Sequence, residues 1–184
     1  MQDKLLVLNL FFYLLGETLN IDHPSYDISD FIVRNMEEED VNSVVNIERE
    51  VYPFPWSGKI LKELFYFGLK NEVNHSTVII SGNKNPIVHG YSFWQMIIDE
   101  CYILNFAIAA KFQGKGLGSF FLEKILEEAH LIGAQRATLE VRIGNKTAIG
   151  LYEKFGFSVI AMRKDYYVDN GNKEDALIMW LQNL

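Results

Sequence analysis

The chain has 184 residues, 49% of them hydrophobic and 22% charged, with a formal net charge of −7. These totals suit one globular domain with its own core and exclude a disordered chain. The acidic balance argues against a broad binder of nucleic-acid backbone, whose affinity comes from clustered Lys and Arg, and it suits a basic partner. Cys101 is the single cysteine, so no intrachain disulfide forms and a reducing, cytoplasmic setting is expected. His23, His75, His89 and His130 show no metal-ligand spacing, and no structural zinc is expected.

Residues 5–15 read LLVLNLFFYLL. That run is too short for a membrane helix, which needs roughly 20 apolar residues. Asp3 cancels Lys4 and no small-residue cleavage site follows, so it does not read as a secretory leader. An extra helix on the domain, or an apolar arm that contacts a partner, is expected instead. Residues 20–30, with Pro24, read as a linker. The expected organisation is an extension over residues 1–30 and a domain over 31–184.

Residues 31–36 alternate like a half-buried strand. The acids at 37–40 suit a helix N-terminus, and Val41, Val44, Val45 and Glu48 carry a helical face to about residue 51. Pro53 and Pro55 forbid a regular element in 52–57, and Ser57 is placed to cap a helix over 58–69. Strands are predicted over 75–81 and 87–98, and again over 102–109 after a tight turn at 99–100. A glycine loop, a helix and a strand over 136–142 then make a βαβ unit, which implies parallel pairing. A helix over 147–155 ends at Gly156. Strands over 157–163 and 176–181 follow, with a polar connection over 164–175 between them. The fold class is α+β: a mixed, mostly antiparallel sheet with one parallel crossover near its middle and flanking helices.

The glycine loop, KFQGKGLGSFF over 111–121, raises the functional question. A helix N-terminus offers unpaired N–H groups and a positive dipole end. Glycines remove the Cβ atoms that would keep an anion away, so Gly114, Lys115, Gly116, Leu117, Gly118 and Ser119 read as a phosphate cradle. The Walker pattern is absent. A dinucleotide fingerprint fits at Gly114 and Gly116 but meets Ser119 at its third glycine, and such units begin a doubly wound sheet rather than follow a meander. The pattern Gln/Arg-x-x-Gly-x-Gly/Ala is matched in full by residues 113–118.

That loop resembles the pyrophosphate loop of the GNAT superfamily of acetyl-CoA-dependent N-acetyltransferases, and the element order from residue 31 onward is that of the GNAT (acyl-CoA N-acyltransferase) fold. PFPWS at 53–57, NFAI at 105–108, LEVR at 139–142, Asn145, LYEKFGF at 151–157 and the segment 163–179 are similar to the ribosomal-protein alanine N-acetyltransferase (RimI) branch. The resemblance implies acetyl-CoA as co-substrate and a splayed parallel pair of strands. It implies Glu140 as the proton acceptor and Tyr152 as the acid that protonates the departing thiolate. It implies main-chain contacts from Phe106, Ala107 and Ile108 to the pantetheine arm, and an amide contact from Asn145. The acceptor walls would be 53–57, with Phe54 and Trp56, and the hairpin region with Tyr166 and Tyr167. The implied acceptor is a protein N-terminus, in this branch the N-terminal alanine of a basic small-subunit ribosomal protein, with no direct nucleic-acid contact and no membrane span.

Blander readings stand beside these. Glu140 can point to solvent or pair with Arg142 or another basic residue. Tyr152 and the 53–56 turn can serve packing, and Asn145 can cap a helix. Two other functions also fit the sequence: a GNAT enzyme acting on a small-molecule amine or lysine side chain, and a non-catalytic acyl-CoA-binding module.

Overall fold

The computed structural model describes residues 27–184 except 83 and 170. The expected helix or arm at 5–15 lies outside the described residues. Seven strands form one sheet: β1 (Phe31–Asn35), β2 (Asn74–Ser81), β3 (Ile87–Ile97), β4 (Glu100–Ile108), β5 (Arg136–Arg142), β6 (Ser158–Asp169) and β7 (Asn172–Leu181). The helices are α1 (Val41–Val51), α2 (Gly58–Gly68), α3 (Leu117–Leu131) and α4 (Lys146–Lys154). The spatial order is β1-β2-β3-β4-β5-β7-β6. Every neighbouring pair is antiparallel except β4 and β5.

Each face of the sheet carries a core. One, under α3 and α4, contains Trp94, Cys101, Leu117, Phe121, Leu122, Ile125, Leu139 and Phe157. The other, under α1 and α2, contains Val44, Ile47, Leu61, Phe65, Val78, Tyr91 and Phe93. Local chemistry sets the helix ends. Ser57 Oγ accepts the Ile60 N–H at 3.2 Å at the start of α2. Buried Asp40 accepts the Glu37 N–H at 2.8 Å and a forked pair from Arg34 at 2.6 and 3.0 Å ahead of α1. Gly156 follows α4 at φ 87°, and the Phe157 N–H returns to the Tyr152 carbonyl at 3.1 Å, which closes the helix. Cys101 is fully buried, and that burial pushes its thiol up to about 12. Among the described residues, no helix is long and apolar enough to cross a membrane.

Two expectations are corrected. The tight turn before β4 falls on Ile98 and Asp99, with Ile98 at φ 60°, while Glu100 already belongs to β4 and pairs with Arg136. The polar stretch 164–175 is mostly strand: β6 runs to Asp169 and β7 begins at Asn172. A ladder is held by backbone groups, so polar side chains do not end it when both faces are solvated. What interrupts β6 is a register shift between Arg163 and Tyr167, with Asp165 at φ 53° and its N–H donating to Asp175 Oδ1 at 2.9 Å.

Candidate active site

The parallel pair β4–β5 is short. Its register runs from Glu100↔Arg136 to Ile103↔Leu139, and beyond Ile103 the two strands part. A bulge in β4 at that point shifts its register against β3 between Phe93 and Trp94. Past the bulge, strand alternation decides which backbone groups face the gap. The Ala109 N–H donates to His89 on the β3 side at 2.8 Å, and the Ala107 carbonyl points the same way, 2.6 Å from where a Cβ on Gly90 would sit. By the two-residue period, Phe106 and Ile108 turn their N–H and C=O groups toward the opening. Ala107 turns its backbone to β3, so of these three residues the gap receives main chain from two. Their carbonyls are met by the Tyr52 hydroxyl, which donates to Phe106 at 2.7 Å, and by Gln113 Nε2, which donates to Ile108 at 2.8 Å.

Gln113 ties the glycine loop to the end of this strand. Gly114 has φ 69° and Gly116 has φ 84°, conformations that side chains with a Cβ rarely adopt. Gly116 is the N-cap of α3 and supplies no side-chain cap, which leaves the first N–H groups of the helix at the loop. Leu117 is buried in the core, so it offers the loop its main chain only. A Cβ on Gly114 would meet nothing within 4 Å, and one on Gly118 would make ordinary contacts at 3.6 and 3.7 Å to Ile108 and Leu151. Packing within the chain therefore does not explain the bareness of Gly118. Lys115 is exposed and Ser119 half-buried beside it. Asn145 caps α4 by accepting the Ala148 N–H at 3.1 Å through Oδ1, which leaves its amide nitrogen as a donor.

Glu140 lies on β5 just past the last parallel pair, its side chain only 12% exposed. It is paired with Arg163 at 3.1 Å and accepts from the Tyr102 hydroxyl at 3.2 Å, both through Oε1. The basic partner is Arg163 of β6, not Arg142. Glu140 also holds the Tyr166 phenol above its ordinary value as a hydrogen-bond partner. Tyr152, on α4, is buried, and desolvation together with the nearby Tyr167 phenol raises it above the ordinary value of 10.0. Tyr167 is pushed up to about 12 by burial, against the pull of Arg142, with Glu140 among the neighbours that raise it further. Tyr167 thus feels the carboxylate of β5 and in turn influences the phenol of α4.

The residues expected to wall the acceptor come from distant segments. Arg142 forms ion pairs with Asp169 at 2.7 Å and Glu174 at 3.0 Å. Its guanidinium lies 4.0 Å from the Tyr167 ring centroid and 5.6 Å from that of Phe54, so one cation joins the 53–57 turn to the β6–β7 hairpin. Phe54 is exposed and Trp56 half-buried. Tyr166 packs edge-on against Tyr167 at 5.0 Å and lies under Arg163. Sequence reasoning did not single out Arg142 as the link; its position two residues from Glu140, hence on the same strand face, was the available signal. Arg163, Tyr102 and Tyr52 carried no such signal, because their partners lie on other strands. A separate open groove of about 740 Å³ runs between α1 and α2 over Asn46, Arg49, Lys59 and Lys62, and it contains none of these residues.

Residues 41–157 match the acetyltransferase (GNAT) family. The chain belongs to that family. A Bacillus subtilis (strain 168) protein named as a candidate ribosomal protein bS18-alanine N-acetyltransferase is 39% identical over 150 residues, 81% of this chain and 93% of the relative. The ribosomal protein bS18-alanine N-acetyltransferase of Escherichia coli (strain K12) is 30% identical over 149 residues, 81% of this chain and 95% of that protein. Among solved structures, the ribosomal-protein-S18-alanine N-acetyltransferase from Escherichia coli superposes with a TM-score of 0.72 at 29% identity, covering 84% of this chain and 95% of that one. Ard1 from Thermoplasma volcanium gives a TM-score of 0.72 at 25% identity, covering 84% and 99%. The GNAT fold, with its single parallel pair opening beside a glycine-capped helix, is the architecture read from the sequence.

Proposed function

We propose that this GNAT protein transfers the acetyl group of acetyl-CoA to the N-terminal alanine of ribosomal protein bS18. The observation that carries the reading is the parting of β4 and β5 beyond Ile103 and Leu139, with Glu140 next on β5 and the glycine-capped end of α3 tied to the end of β4 through Gln113 and Ile108. The names of the relatives supply the acceptor.

Acetyl-CoA brings the activated acyl group. The N–H groups from Gly114 to Ser119 hold its diphosphate, with Lys115 as a charged neighbour. Phe106 and Ile108 pair their main chain with the pantetheine arm as a sheet edge pairs with an added strand, and the Asn145 amide meets that arm from α4. Neither a core side chain at Leu117 nor one at Ala107 touches the cofactor in this scheme, so their parts are backbone and packing.

An α-amino group has a pKa of about 7.7–8.0 and attacks only when neutral. Glu140 accepts the proton that the amine loses, directly or through water. As the nitrogen bonds to the carbonyl carbon, the oxygen becomes negative, and fixed N–H groups at the β4 bulge stabilise it; such donors are worth about 2.7–4 kcal/mol each. The C–S bond then breaks. Tyr152, kept protonated by burial, gives its proton to the departing thiolate. Phe54, Trp56, Tyr166 and Tyr167 form the walls that take the basic N-terminal peptide, with residues 31–184 as the catalytic domain.

Purified protein mixed with acetyl-CoA and a peptide bearing the bS18 N-terminus is expected to release CoA and yield an acetylated α-amine by mass spectrometry. Turnover confined to lysine side chains or small amines would replace the acceptor. Cofactor binding without any turnover would reject the enzyme.

A further inference from the structure

Glu48 is 1% exposed, yet it sits on α1 where an apolar residue would complete the core beside Val44, Val45 and Ile47. A buried carboxylate is costly unless its oxygens are fully met by donors. Here they are met by groups from three separate segments. Oε1 accepts the main-chain N–H of Trp56 at 2.6 Å. Oε2 accepts from the Tyr91 hydroxyl on β3 and, at 3.4 Å, from the side-chain amide of Asn105 on β4. Asn105 directly follows the β4 bulge, and its neighbour Phe106 is held by Tyr52. The Glu48 main-chain carbonyl also accepts the Tyr52 N–H at 3.1 Å. One residue thus fastens both ends of the segment 52–56. Within that segment Pro53 and Pro55 have no N–H, so Trp56 provides one of the few donors by which the wall can be held.

We propose that Glu48 is a positioning residue for the acceptor: its carboxylate pins the main chain of the Phe54–Trp56 wall to the strand that floors the cleft, and so sets acceptor affinity without acting on the cofactor. The proposal rests on the acetyl-transfer reading for its kinetic consequence, but its geometry does not. Glu48→Gln keeps the size and removes one acceptor, turning a donor toward the Trp56 N–H or toward Tyr91 and Asn105.

The test measures KM for an Ala-initiated peptide and for acetyl-CoA separately. Glu48→Gln should raise the acceptor KM about tenfold and move the acetyl-CoA KM and kcat by no more than about two- to threefold. A purely structural role would instead lower the active fraction and leave both KM values alone, and that result overturns the proposal. If Glu48→Gln does not fold, Tyr91→Phe, which removes one donor that holds the carboxylate, should raise the acceptor KM about two- to fourfold; an unchanged value in the folded variant overturns the proposal. Hydrogen exchange in the unmodified protein reads the clamp without turnover. The Trp56 amide should exchange slowly and the Phe54 amide fast, and rapid exchange at Trp56 overturns it. Should the protein acetylate no N-terminal peptide, the acetyl-transfer reading fails by itself. Peptide binding followed by fluorescence anisotropy then decides: weaker binding by Glu48→Gln supports the clamp, and equal binding sinks it.

Discussion

The two sides of the cleft are built by different means. On the side of α3, residues 114–119 are adjacent in the chain and offer main-chain N–H groups at the uncapped start of the helix, shaped by glycines at φ 69° and 84°. On the far side, Phe54, Arg142 and Tyr167 come from segments far apart in the chain and meet through side chains, with Arg142 stacked 4.0 Å from Tyr167 and 5.6 Å from Phe54. On the proposed reading, the backbone side takes what is common to every use of the fold, a phosphate. A side-chain site changes with each substitution and so lends itself to acceptor choice.

The sharpest test of that division lies between the two sides. Glu140→Gln and Tyr152→Phe should each lower kcat by about 10²–10³-fold and leave acetyl-CoA affinity by calorimetry unchanged. Full rate in both variants would remove the chemistry from these residues. Next in size, Gly116→Val places a β-branched residue in a left-handed conformation at the helix N-cap. That strain of about 1–2 kcal/mol, at the loop proposed to hold the diphosphate, should weaken acetyl-CoA binding about tenfold or more while the acceptor KM stays put. Arg142→Lys keeps the charge but loses the fork to Asp169 and Glu174 and the stacking on Tyr167. Steady-state kinetics should show the acceptor KM up about fivefold and the cofactor KM unchanged. If Gly116→Val acts on the acceptor, or Arg142→Lys on the cofactor, the division between the two sides is wrong.

The smallest effect belongs to the core. Burial raises the Cys101 thiol from 9.0 to about 12. Since the folded value is the higher one, the stability it contributes is present below pH 9.0 and is lost as pH rises toward about 12. Melting temperature followed across that window should fall less steeply in Cys101→Ala than in the unmodified protein. The two slopes coincide if the thiol is not the group that titrates.

Within the chain, some of this was legible and some was not. The Ser57 cap, the Gly156 stop, the strand at 136–142 and the glycine turn that leads into α3 depend on neighbours a few residues away, and each stands where the sequence places it. The distal part of the hairpin β6–β7, residues 164–175, reads in the sequence as a polar connection because its side chains alternate no apolar face, although its backbone pairs again from Tyr167 to Asp169. Glu140 and Tyr152 were visible as a carboxylate in an apolar strand and a tyrosine on the next helix. That Glu140 takes Arg163 rather than Arg142 as its ion-pair partner was not, since the two residues lie on strands separated by β7.

By itself, the sequence determined the order of elements, the loop that caps α3 and the residue types available for proton transfer, because periodicity and backbone geometry act over a few residues. Only the tertiary structure decided where β4 and β5 part, which backbone groups face that gap, and how Arg142 and Glu48 join segments far apart in the chain. Those outcomes depend on register and on side-chain reach across strands, and no local pattern encodes either.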